Sequence, residues 1–234
     1  MYHKGGPMRR RQILISFVLC LLPFGSCSRA QHPADLEKFS GAYKANSIAV
    51  LYVRQEGGQL YVRFSRDRHE MALQPLSANS FTDNRSGAHF VFSGEGPRMV
   101  LTASKDCLVY HADRISADAA QSLENTVAAR IKANVPSPGT EGSARRYILS
   151  LEKGTPNYDE MIPRVAEDVR CLLPNTLANI HKLGALKSLT FEHVSNGLDV
   201  YDAEFEHGRA DLGLAPLDSD GKVEYRDWLS IKQD

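Results

Sequence analysis

The stretch Ile48-Ala-Val-Leu-Tyr-Val-Arg-Gln-Glu-Gly-Gly-Gln-Leu-Tyr-Val-Arg-Phe64 decides the fold of the first half of the chain. Before the glycine pair, Ile48, Val50 and Tyr52 alternate along one face of a strand. After it, Leu60, Val62 and Phe64 alternate in the same way. Two such runs joined by a short Gly-rich turn predict an antiparallel hairpin.

The same period of two extends on both sides of this hairpin, from residue 36 to residue 115. Further short apolar runs cover 70–76, 88–93, 98–103 and 107–111, with Gly, Asp, Asn and Ser between them. Many short strands separated by turns are typical of an antiparallel barrel or sandwich. We therefore predict an antiparallel β domain over residues 31–117, a lipocalin-like barrel or a sandwich.

After this region the apolar period changes from two to four. Leu123, Val127 and Ile131 follow Ser116, which is suited to cap a helix. The Pro-rich stretch 134–139 cannot continue that helix. We predict a helical and Pro-rich linker over residues 118–139.

Residues 140–234 predict an α+β domain, with helices first and an antiparallel meander afterwards. The expected helices cover 140–153, 159–172 and a third segment beginning at Pro174 and stopping at Gly184. The expected strands cover 186–194, 198–206, 209–215 and 222–228, with tight turns between them.

The first 30 residues have the pattern of a secretory signal peptide. Basic residues precede the apolar run 13–22, which is shorter than the about 20 residues that a spanning helix needs. Small residues precede Cys27, as in a lipoprotein signal, so lipidation of Cys27 is predicted, although Phe24 departs from the usual pattern. Cleavage after Ala30 is the alternative. Either cut predicts an exported chain, in the bacterial cell envelope with a lipid anchor facing the periplasm, or soluble in the periplasm or secreted.

Two cysteines remain after this leader, Cys107 and Cys171. They could pair in an oxidising compartment. The simplest interpretation is two separate, partly buried thiols, because they fall in different predicted domains.

Composition argues against several classes of function. Lys and Arg number 28, equal to Asp and Glu at 28, so no excess charge predicts a nucleic-acid partner. No Cys or His spacing suits a metal, and the histidines at 69, 89, 111, 181, 193 and 207 are expected to be structural. No cofactor and no metal are predicted.

Three patterns mimic functional motifs. Asp218, Asp220 and Gly221 have the spacing of a calcium-binding EF-hand loop, but Pro216 and Asp227 stand at its first and twelfth positions, so a hairpin turn is the preferred interpretation. The formal Ser-x-x-Lys pattern at 150–153 ends a short helix and has no Lys-Thr-Gly strand. Asp202, Glu204 and Glu206 share one strand face, as a half-solvated strand requires. No catalytic residue is predicted.

Several stretches resemble modules of known proteins. The segments 36–43, 50–62, 71–77 and 101–115 resemble the β-domain appended to penicillin-binding-protein-like serine hydrolases, the domain of unknown function numbered 3471. The segments 136–141, 157–161, 183–191, 199–208 and 220–222 are similar to a second accessory module of such hydrolases, with a suspected NTF2-like, or SnoaL-like, cone. The resemblance implies accessory domains without their catalytic domain.

Two functions are compatible with these patterns. The first is a non-catalytic envelope module that binds a partner protein or a small apolar ligand, in the barrel mouth or in the cone. The second is a hydrolase or isomerase that uses the pocket of the cone. Polar side chains converging in a pocket would favour the enzyme, and a filled interior would count against it.

Overall fold

A computed structural model of the chain describes residues 36–65, 67 and 69–233. The predicted signal peptide, Cys27 and both candidate cleavage sites lie outside the described residues. Among the residues that are described, no helix is both long and apolar enough to span a membrane.

The first half of the chain forms a closed antiparallel barrel of eight strands. Each strand pairs with its neighbour in sequence, and β1 pairs with β8 to close the circle. The prediction of a barrel is therefore confirmed, and a sandwich is excluded. Strands β1 to β8 lie at Gly41–Asn46, Ala49–Glu56, Gln59–Phe64, Met71–Pro75, Ser80–Thr82, His89–Ser93, Val100–Lys105 and Leu108–Ile115.

Strand β2 of the first hairpin has buried residues on both of its faces. Leu51 and Val53 face the barrel interior together with Leu60 and Val62. Val50, on the opposite face of β2, packs outside the barrel and is fully buried there. The alternation of Ile48, Val50 and Tyr52 therefore marks the outer face of the barrel, which the following helix covers.

The second half contains three helices and a four-stranded antiparallel sheet in the order β12-β11-β10-β9. This arrangement agrees with the predicted α+β class. Helices α1 to α3 lie at Ala117–Ala133, Thr140–Glu152 and Pro163–Leu183. Strands β9 to β12 lie at Leu186–Ser195, Leu198–Phe205, Gly208–Leu214 and Arg226–Gln233, and single 3₁₀ turns lie at Gly96–Arg98 and Tyr158–Glu160.

Helix α1 joins the two halves. Ser116 caps it, because its side chain accepts a hydrogen bond from the Ala119 amide, as the sequence predicted. Val127 on α1 then packs against Ile48 of the barrel and Leu198 of the sheet. Gly197 in the β9–β10 turn approaches this contact so closely that an added Cβ would lie 2.8 Å from Val127 and 3.0 Å from Ile48. The turn therefore fits between helix and barrel because it has no side chain at this position.

Helix α3 is a correction to the sequence prediction. Two helices meeting at Pro174 were expected, but α3 runs without a break from Pro163 to Leu183. Pro174 lies on the exposed side of the helix. Val165, Val169, Ile180 and Leu183 are buried on the other side, before and after the proline. Burial of this continuous apolar stripe offsets the backbone hydrogen bond that the proline removes.

The last strand also begins later than predicted, at Arg226 instead of residue 222. Val223 instead forms a parallel bridge with Met161, and its N–H donates to the Glu160 carbonyl. This contact holds the long β11–β12 connection against the start of α3. Within the turn at its tip, Gly221 has a φ of +74°, whereas Asp220 does not have the positive φ that the Asp-Gly pair suggested.

Candidate functional site

One end of the barrel is filled by aromatic side chains. Phe39 stacks on Phe92 with ring centroids 4.4 Å apart, and Phe81 meets both rings edge-on at 5.7 Å. The Tyr43 hydroxyl donates a 2.7 Å hydrogen bond to the Phe39 carbonyl. This network fixes the segment that precedes β1 as a plug, and we call this the plugged end.

The other end of the barrel is hollow. Its inward positions carry small side chains, among them Ala45, Ala103 and Ala112. They leave a cavity of about 520 Å³, which we call the mouth cavity; this is within the usual range for sites that bind small molecules. Apolar and aromatic groups form most of its wall. The residues lining it are Ala45, Asn46, Ile48, Ala49, Leu51, Phe64, Ser65, Asp67, Leu101, Ala103, Tyr110, Ala112, Asn196, Leu198, Tyr225, Asp227 and Leu229.

The second half of the chain supplies the roof of this cavity. Leu198 comes from the start of β10, and Tyr225, Asp227 and Leu229 come from β12 and the residue before it. Gly213 of β11 lies beneath two of them, and an added Cβ there would lie 3.0 Å from Leu198 and 3.4 Å from Leu229. The missing side chain lets both leucines close over the mouth. Barrel and sheet are therefore both needed to build the site.

Three polar side chains converge on one wall of the mouth cavity: Tyr110, Tyr225 and Asp227. Burial raises the pKa of Tyr225 to about 12 and also raises the pKa of Tyr110. Asp227 stays accessible to water through the cavity, yet desolvation by the surrounding protein raises the pKa of its carboxyl. Within the described part of the chain, neither phenol makes a side-chain hydrogen bond. Both phenols can therefore meet a ligand, whereas the Asp227 carboxylate already accepts a hydrogen bond from the Trp228 amide.

A second cavity of about 260 Å³ lies behind the same three side chains and shares them as a wall. Its other side belongs to α3, where Arg164 forms a 2.9 Å ion pair with Asp168. Arg164 also donates to the Glu224 carbonyl at 2.9 Å, and its guanidinium lies 5.0 Å from the centre of the Tyr110 ring. Burial raises the pKa of Asp168, although Arg164 counteracts this in part. The Arg164 guanidinium is thus held by Asp168, the Glu224 carbonyl and the Tyr110 ring.

A disulfide joins Cys107, in the turn between β7 and β8, to Cys171 in the middle of α3. Their Cα atoms are 6.0 Å apart, within bridging range. The sequence favoured two separate thiols because the cysteines fall in different predicted domains. Packing of α3 against β8 brings the two halves together at this point. The bond therefore fixes the hollow side of the barrel to the helix behind the second cavity.

A buried polar cluster that sequence reasoning missed holds the roof in place. The Asp199 carboxylate has no exposed surface and accepts from Arg130 at 2.7 Å, from the Ser137 amide at 2.8 Å and from the Thr140 hydroxyl at 2.9 Å. Arg130 also donates to the Gly197 carbonyl. Both carboxylate oxygens accept hydrogen bonds from the protein itself, so this cluster is structural. Its sequence signal was a charged residue, Asp199, on the same strand face as the apolar Tyr201, Ala203 and Phe205.

The acidic residues that were singled out on β10 are all engaged with neighbours. Asp202 pairs with Arg209. Glu204 accepts from Ser188 at 3.1 Å, and Glu206 accepts from the Ala185 amide at 3.2 Å. None of the three lines either of the two cavities described above.

The other two motif-like patterns have local structural partners. In the pattern at 150–153, the Ser150 hydroxyl donates to the Tyr147 carbonyl at 2.7 Å. The Asp218 carboxylate accepts from the Asp220 and Lys222 amides at 2.9 and 2.8 Å, which makes it part of a turn. Among the described residues, no group of three or more His, Cys, Asp and Glu side chains could hold a metal ion.

Comparisons with known proteins leave the site to be interpreted from its geometry. No family model matches the chain, and neither a curated protein nor a solved structure matches it. The resemblance to hydrolase accessory modules therefore remains a prediction from sequence.

Proposed function

We propose that this protein is a binding module whose mouth cavity holds a small apolar ligand. The observation that carries the proposal is the contrast inside the barrel: the plugged end is filled, whereas small side chains leave about 520 Å³ at the other end. Leu51, Leu101 and Ala112 would receive the apolar part of the ligand, and the polar wall would orient it. Concave, mostly apolar cavities with a few converging polar groups are the usual form of small-molecule sites.

The alternative, a hydrolase or isomerase acting inside an NTF2-like cone, needs a pocket within the second half. Here, Ile148 and Leu151 of α2 meet Tyr201 and Leu212 of the sheet in a buried core. The cavity beside α2 measures about 40 Å³, roughly the space of one water molecule. This filled interior favours binding over catalysis, as does the resemblance to accessory modules.

The ligand proposal is tested with the neutral apolar dye N-phenylnaphthylamine. We expect its fluorescence to rise on saturable binding to the mature protein, and Ala103→Leu to abolish this rise by filling the cavity. The matched control is Val109→Leu, because Val109 lies on the neighbouring strand and is 40% exposed, outside the cavity. Equal dye binding by all three proteins, or none by the wild type, would overturn the proposal.

We further propose that the module is exported and held at the cell envelope by a lipid on Cys27. The basic leader and its apolar run support this, and a disulfide fits an oxidising compartment. In cells fed a labelled fatty acid, we expect the label on the wild-type protein and its loss in Cys27→Ser. An equal label on both proteins would contradict the anchor but would leave export by the alternative cleavage after Ala30 intact.

A further inference from the structure

We infer that the ligand of the mouth cavity is an apolar cation, a small molecule with one protonated amine on a hydrophobic body. This inference rests on the proposed binding function and adds the charge of the ligand to it. Three properties of the cavity carry it: an acidic group without a countercharge, aromatic faces beside that group, and an apolar floor.

The described residues give the cavity wall a one-sided charge. Its ionisable carboxylates are Asp67 and Asp227, and no Lys, Arg or His belongs to its lining among the described residues. Asp67 lies exposed at the rim, and its carboxylate already accepts a 2.8 Å hydrogen bond from the His69 amide. Asp227 forms no ion pair in the described part of the chain. A carboxylate that is partly desolvated and lacks a countercharge favours a cation from a ligand.

The nearby arginines do not supply this countercharge. Arg164 pairs with Asp168 at 2.9 Å, on the far side of the tyrosines. Arg226 is the sequence neighbour of Asp227 and lines the second cavity, where its guanidinium lies 5.1 Å from the centre of the Tyr147 ring. It lowers the pKa of Asp227 only in part, since desolvation remains the larger effect. A cation supplied by a ligand would therefore stabilise the ionised form of Asp227, which its own surroundings do not fully compensate.

Aromatic side chains line the cavity together with Asp227. Tyr110 and Tyr225 share the wall with Asp227, and Phe64 lies on the same rim. A cation over an aromatic face is attracted to the ring, and a phenol oxygen can accept from an ammonium group. An anion in this position would meet the Asp227 carboxylate, and a neutral ligand would leave it without a countercharge. The wall therefore selects an amine.

The test compares three ligands of equal chain length by calorimetry at neutral pH: octylamine, octanol and octanoate. We expect octylamine to bind about tenfold more tightly than octanol, as one charge-assisted hydrogen bond predicts, and octanoate to bind more weakly than both. Equal binding of amine and alcohol would overturn the inference and leave the binding function standing. Tightest binding of octanoate would also overturn it. No binding of any of the three would overturn both.

Two variants assign the selectivity to one side chain. Asp227→Asn should bind octylamine and octanol equally, because it keeps the shape and removes the charge. The control Asp211→Asn, on the neighbouring strand and bonded to Ser230 at 2.6 Å, should keep the tenfold preference. A full preference in Asp227→Asn, or its loss in Asp211→Asn, would contradict the assignment to Asp227.

Discussion

The two ends of the barrel are built from the same alternating strands but differ in what fills them. At the plugged end, Phe39, Phe81 and Phe92 interlock, and no exposed surface remains on Tyr43. At the hollow end, the inward positions of the same barrel carry alanines, and the roof comes from residues far away in sequence. The comparison teaches that alternation specifies the barrel, whereas the size of the inward side chain decides whether an end serves stability or binding.

The largest effect is expected from emptying the plugged end. Phe92→Ala should lower the free energy of unfolding by about 3–5 kcal/mol, because it removes a ring from the aromatic cluster and leaves a void. Urea denaturation measures this loss. The neighbouring Val91 points outward and is 37% exposed, so Val91→Ala should change stability by less than about 0.5 kcal/mol. Similar losses in both variants would mean that the cluster does not stabilise this end.

The next effect concerns the covalent link at the hollow end. Replacing Cys107 and Cys171 together by serine should lower the free energy of unfolding by about 2–4 kcal/mol, because the bond closes a loop over 64 residues in the unfolded chain. Chemical denaturation with and without a reductant measures it. The reductant should destabilise the wild type and leave the double variant unchanged. A wild type insensitive to reductant would contradict this link.

A smaller effect is expected from filling the hollow end. Ala103→Leu should change stability by no more than about 1 kcal/mol, because the cavity has room for the added carbons. Ala203→Leu is the matched control, since Ala203 is fully buried in the second core, and overpacking there should cost about 1–3 kcal/mol. Thermal unfolding of both variants measures the contrast. Equal destabilisation would show that the hollow end is packed in solution.

The smallest effect is a difference between the two ends in how a ligand shifts the titration of a buried tyrosine. Burial raises the pKa of Tyr43 and of Tyr225 to about 12, so both folded phenols hold their protons above the unfolded pKa of about 10. Their contribution to stability is complete below pH about 10 and is lost as the pH rises towards about 12. Ultraviolet titration of Tyr43→Phe and Tyr225→Phe identifies each phenol. An apolar ligand should shift the Tyr225 titration and leave that of Tyr43 unchanged, and a shift of Tyr43 would place the ligand elsewhere.

Much of the fold could be predicted from the sequence. Six of the eight barrel strands, the cap at Ser116 and the order of helices and meander follow from local periodicity and turn chemistry, whereas no run was predicted for β1 or for the three-residue β5. The sequence did not predict that α3 is one continuous helix. A proline on the exposed side of a helix interrupts the local helix pattern, but it does not interrupt the buried apolar stripe. The start of β12 was also missed, since the Val223–Met161 bridge depends on the packing of distant segments.

The candidate site was far less predictable. Tyr110 lies in a barrel strand, whereas Tyr225 and Asp227 lie more than 100 residues later, and only the packing of the sheet over the mouth brings them together. A barrel mouth was a candidate ligand site from the fold, but its open end was not identified. The usable signal was the alanines at inward strand positions, opposed to phenylalanines elsewhere in the barrel.

The disulfide also has a consequence for the order in which the protein is made. All eight barrel strands end by Ile115, so a nascent chain emerging from its N-terminus can complete the barrel before Cys171 has been synthesised. The exposed Cys107 thiol therefore stays reduced until 64 further residues have been synthesised and Cys171 is present. The bond can form only once α3 has packed against the barrel. The roof can close over the mouth cavity from that point on.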